Sequence, residues 1–76
     1  MITREQLRMA RAALNWGVRD LADQSGLSAN TISRFENGSD AYGETLLRLR
    51  RTLEGAGIIF IDENGEGPGV RLKKTS

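Results

Sequence analysis

Gly26 constrains this chain more than any other residue. It sits inside Leu21-Ala-Asp-Gln-Ser-Gly-Leu-Ser28, between two short stretches of helical character. On its N-terminal side Leu21, Ala22 and Ser25 predict a helix from about Val18 to Ser25. On its C-terminal side Ser28 is a good N-cap, and the spacing predicts a helix from about Ala29 to Asn37, stopped by Gly38. Gly26 stands where a helix needs a left-handed residue to end. Two helices joined through Gly26-Leu27-Ser28 cannot continue as one rod and must cross. The crossing explains the residue sizes. Ala22 is small because the next helix passes close by, and Leu21, Leu27, Ile32 and Phe35 form the wedge between the two.

The flanks supply the rest of a small core. Leu7, Ala10, Arg11 and Leu14 lie on one face of a helix that opens near Thr3 and ends by the turn chemistry of Asn15-Trp16-Gly17. Thr3 and Gln6 have the spacing of a capping box. Arg11 is out of place on that apolar stripe. After a loop over 39–43, a fourth helix runs from about Glu44 to Gly55, with Leu46, Leu49, Leu53 and Ala56 on one face. Trp16 is expected in the core, and Arg48, Arg50 and Arg51 on a solvated face. Then Ile58-Ile-Phe-Ile61 and Val70-Arg-Leu72 read as a β-hairpin around a Gly-rich connection. The expected fold is mainly α, four helices with a C-terminal hairpin, in which 1–57 and 58–76 belong to one domain.

Composition excludes several classes of chemistry. The chain has 76 residues with neither Cys nor His. Disulfides, a zinc finger, a thiol nucleophile and an imidazole base are therefore ruled out. Gly65-Glu-Gly-Pro-Gly69 is not followed by Lys-Ser/Thr and reads as a turn rather than a phosphate loop. No enzyme activity, cofactor or metal is expected. No apolar run approaches the ~20 residues of a membrane span, and Met-Ile-Thr-Arg-Glu-Gln carries no apolar signal core. A cytoplasmic protein is expected. The formal net charge is only +1, so any nucleic-acid partner must be held by the placement of charge rather than its sum.

The two crossed helices have the shape of a helix-turn-helix. With Leu27, Ile32 and Phe35 facing inward, Ala29, Asn30, Ser33 and Arg34 line one outer surface, with Asn37 one turn on. A helix in a DNA major groove needs such a surface. Asn can bond adenine bidentately, Arg can do so with guanine, and the Ala methyl can touch a thymine methyl.

"LRMARAALNWGVRD" followed by "LADQSGLSANTISRFENG" resembles the Cro and lambda-repressor-like helix-turn-helix regulators, the XRE family. The likeness is strong over residues 7 to 38 and loose over the fourth helix. It implies a lambda-repressor-like bundle and a dimeric transcriptional regulator, prokaryotic or phage, that reads an inverted repeat in double-stranded DNA. Base contacts would come from Ala29, Asn30, Ser33 and Arg34. Phosphate contacts would come from Asn37, Thr31 and, in place of a missing clamp, Arg19. The resemblance further implies an ion pair between Arg11 and Glu36, which accounts for the misplaced arginine. Gly17 and Val18 stand where such regulators usually have Ser or Thr followed by Gln. Asp20, Asp40 and Glu44 lie near the expected DNA side, so modest non-specific affinity is expected. With no sensing domain, repression by occluding a promoter is the expected mode.

Strand alternation sends Ile58 and Phe60 to one face and Ile59 and Ile61 to the other. One face is expected on the helices, near Leu49 and Leu53. The other is expected to form a dimer interface made of Ile59, Ile61 and Val70. An alternative class is a protein-interaction module, such as an antitoxin or anti-activator, that holds a protein partner through the hairpin.

Overall fold

The computed structural model describes residues 1–74. Helices α1 (Arg4–Leu14), α2 (Val18–Ser25), α3 (Ala29–Glu36) and α4 (Gly43–Gly55) precede an antiparallel pair of strands, β1 (Ile58–Ile61) and β2 (Gly69–Leu72). The sequence placed the end of α3 and the starts of α4 and β2 one residue differently. Those shifts fall at caps, where the boundary is a matter of half-helical residues.

Local chemistry sets the ends of each helix. Thr3 Oγ1 accepts from the Gln6 amide at 3.1 Å while Gln6 Oε1 accepts from the Thr3 amide at 2.9 Å, a complete capping box. Asn15 ends α1 in the left-handed region at φ 57°. Trp16 then donates its amide to the Arg11 carbonyl and Asn15 to that of Ala12. This is the Schellman pattern that covers orphan carbonyls. Gly26 ends α2 at φ 76°, a conformation that disfavours any residue with a Cβ. Ser28 Oγ accepts from the Thr31 amide and opens α3. Gly38 closes it with a second Schellman pattern, Ser39 donating to Arg34 and Gly38 to Phe35.

The core gathers Leu7 and Ala10 of α1, Leu21 of α2, Ile32 of α3 and Leu49 and Leu53 of α4, all fully buried. Leu14, Trp16, Ala22, Leu27 and Phe35 pack half-buried against them. The hairpin closes one side of this core. Ile58 and Phe60 are buried in it, while Ile59 faces out. β1 lies against α4 and β2 lies more extensively against α1.

Two side chains join the hairpin to the helices. Gln6, almost wholly buried, donates from Nε2 to the carbonyls of Ile61 and Gly69, each at 3.0 Å, across the pair that opens the hairpin loop. The same amide group therefore caps α1 and fastens the sheet. The Arg50 guanidinium lies over the Phe60 ring at 5.5 Å.

The register corrects one expectation about the hairpin. Phe60 pairs with Val70, and Ile59 with Arg71. Directly paired residues share a face, so Val70 lies beside Phe60 and packs on the core. It does not share the outer face of Ile59 and Ile61, where Arg71 stands instead.

Candidate nucleic-acid interface

α2 and α3 cross as a helix-turn-helix with Leu21 and Ile32 fully buried between them. The opposite side of α3 is open. Asn30, Arg34 and Asn37 are exposed, and Ala29, Thr31 and Ser33 are half-exposed around them. Among the described residues, the side chains of Asn30, Ser33, Arg34 and Asn37 form no hydrogen bond within the protein, so their donors and acceptors face solvent. Thr31 differs. Its hydroxyl lies 2.8 Å from that of Ser28, which also accepts the Thr31 amide. It helps to fix the start of α3. The amides of Ala29 and Asn30, ahead of the one that Ser28 caps, belong to the first turn, where no intrahelical acceptor exists.

The inner side of α3 is bolted to α1. Arg11 donates from Nε and Nη2 to the two carboxylate oxygens of Glu36, each at 2.7 Å, and from Nη1 to the Trp16 carbonyl at 3.0 Å. This bidentate geometry is the strong form of the interaction. Glu36 is only 5% exposed. Its hydrogen bonds raise the Arg11 pKa above the ordinary arginine value, against the opposing effect of burial. The guanidinium therefore stays charged throughout the neutral range. The Arg8 guanidinium donates to the backbone carbonyl of Glu36. Both the side chain and the backbone of one residue at the end of α3 are thus held from α1.

Arg8 and the second role of Gln6 were not read from the sequence. Arg4, Arg8 and Arg11 do fall at i, i+4 and i+7, one face of α1, and that stripe was the available signal for Arg8. Arg4 lies by the bend after α3, with Nη1 3.5 Å from where a Cβ on Gly38 would stand.

The start of α2 has no side-chain cap at Gly17. Asp20 reaches back and accepts the Gly17 amide at 2.8 Å. Its carboxylate therefore occupies the place where a neutral side chain would leave room for an anion. Arg19, next to it, is exposed, as are Asp40, Tyr42 and Glu44 beyond α3. The base-reading candidates Ala29, Asn30, Ser33 and Arg34 thus lie on the open side of α3, and exposed charges of both signs, Arg19, Asp40 and Glu44, stand on the segments before and after it.

Among the described residues no cluster of acidic side chains could hold a metal ion, and no helix is long and apolar enough to cross a membrane. No curated protein gives a significant match to the chain. A family model described as a helix-turn-helix domain matches residues 4–57, from the first residue of α1 to just beyond α4. With four helices built around the crossed α2–α3 pair and that match over most of its length, the chain belongs to the helix-turn-helix domain family typical of XRE-like regulators.

Proposed function

We propose that this chain is a sequence-specific double-stranded DNA-binding repressor, with α3 in the major groove. The observation that carries the reading is the asymmetry of α3. Its inner face is fixed by Ile32, Glu36 and the Ser28 cap, while Asn30, Ser33 and Arg34 on its outer face have no side-chain partner among the described residues. Ala29, Asn30, Ser33 and Arg34 would read base edges, and Arg19, Thr31 and Asn37 would meet phosphates. The chain would act in the cytoplasm, bound to the nucleoid. Its role is to occupy DNA rather than to perform chemistry.

We further infer a homodimer on an inverted repeat, its recognition helices about 34 Å apart in successive major grooves. The outer face of the hairpin, Ile59 and Ile61 beside Arg71, would supply the contact, since Ile59 is 40% exposed there. That same exposure, with Leu72 near the end of β2, favours a second reading in which the hairpin holds a protein partner.

Selection from random duplex DNA, followed by binding measurements on Asn30→Ala, Ser33→Ala and Arg34→Ala, tests the proposal. A palindromic site with half-sites one helical turn apart is expected. Asn30→Ala should relax selectivity at single positions, costing about 1–3 kcal/mol against the preferred base. If Arg34 holds a phosphate, Arg34→Ala should weaken all sequences alike and reduce the salt slope by about one. Three variants that bind like the parent would refute the placement of α3.

A further inference from the structure

Four exposed residues of α4 recur at helical spacing and face away from the core. Glu44, Leu47, Arg48 and Arg51 stand at i, i+3, i+4 and i+7. Among the described residues none of their charges sits in an ion pair, whereas Arg50, on the neighbouring face, pairs with Glu54 and lies over Phe60. Leu47 is 46% exposed. It forms a ridge between two hollows. One, of about 580 Å³, is lined by Leu27 of the turn together with Glu44, Arg48 and Arg51. The other, of about 180 Å³, is lined by Met1, Ile2 and Leu46.

The ends of this stripe, Glu44 and Arg51, are complementary to each other, with Arg48 between them. We propose that α4 packs antiparallel against α4 of a second copy, across a two-fold axis between Leu47 and Arg48. In that arrangement Glu44 of one copy faces Arg51 of the other, and the pairing occurs twice. Leu47 of each copy enters the larger hollow of its neighbour, a ridge fitted into a groove. The contact is isologous, with the same patch on both sides. A parallel arrangement would instead set Glu44 against Glu44 and Arg51 against Arg51, so the charges select the antiparallel one. The surface is separate from the outer face of the hairpin. A chain with both faces could form a dimer through one and join dimers side by side through the other, which would make occupancy of neighbouring DNA sites cooperative.

The test is sedimentation equilibrium of the full chain carrying Ile59→Lys, which removes the hairpin face as a means of association. Circular dichroism serves as the check on folding. This background is expected to self-associate to a dimer as concentration rises. Adding either Glu44→Arg or Arg51→Glu should weaken the dimer by about tenfold or more, because the symmetry applies each reversal twice. Adding both should restore association, since the exchanged charges again face each other. Leu47→Glu should abolish it, and the position is exposed enough for the fold to survive. A background that stays monomeric, or a double reversal that does not restore the dimer, overturns the proposal. Association of the parent chain that Ile59→Lys leaves unchanged would count against the hairpin contact alone.

Discussion

Arg11 ties α3 to α1 through one buried carboxylate. It lies on the apolar stripe of α1, yet its guanidinium satisfies both oxygens of Glu36 and the carbonyl that follows α1. Replacing such a pair by well-packed apolar residues is often neutral, whereas removing one partner leaves a buried charge alone. Glu36 is the more buried of the two. Arg11→Ala is therefore expected to cost about 3 kcal/mol, read as a fall in the melting temperature of the free protein. Arg11→Met with Glu36→Leu should recover much of that stability, because no charge remains buried. DNA affinity should not recover with it if the pair also sets the angle of α3. Measuring both quantities on the double variant separates the two roles.

Gln6 ties two elements together in a way that neither announces. Its Oε1 covers a capping amide, and its Nε2 spans the carbonyls at the mouth of the hairpin. Gln6→Leu keeps the volume and removes three hydrogen bonds worth about 1 kcal/mol each. The hairpin is expected to loosen first, seen as faster hydrogen exchange at the Ile61 and Gly69 amides than in the α2–α3 pair. At the hairpin tip the Glu63 carboxylate accepts from the amides of Gly67 and Gly65. These bonds hold its pKa below the ordinary glutamate value of 4.5. A lowered carboxylate pKa adds order that is complete above 4.5 and is lost as pH falls through the lowered value. NMR titration should therefore show Glu63 ionising below 4.5, with the Gly65 and Gly67 amides shifting in step. Such local hydrogen-bond chemistry was legible where it involves neighbours in sequence: the Thr3–Gln6 box, the Gly26 bend, the Ser28 cap and the Gly38 stop. The docking of β2 on α1 was not legible, because Gln6 meets its second partners 55 and 63 residues away. Nor was the facing of Val70. It depends on register across the long connection over 62–68, and a shift of one residue would have placed it outside.

For the whole molecule the open question is whether the hairpin is an appendage to a four-helix unit or part of its core. The family match ends at Gly57, which favours the first view. The packing favours the second, and we propose that residues 1–57 and 58–76 fold as one domain. Ile58 and Phe60 are buried against the helices, and Val70 packs beside them. Burying a side chain of this size contributes about 1.5–3 kcal/mol, so Ile58 and Phe60 together rival the ~3–5 kcal/mol that a core in so short a chain supplies. Removal of the hairpin would also uncover the sides of α1 and α4 on which its strands pack. A chain ending at Gly57 is therefore expected to lose its cooperative thermal transition, and to bind DNA weakly for that reason as well as through loss of the proposed dimer contact. Ile59→Lys changes only the outer face and should keep the melting temperature of the parent within a few degrees. If the shortened chain instead melts cooperatively near the parent, the helices are complete without the sheet. The hairpin would then be a separate unit carried for its outer face alone.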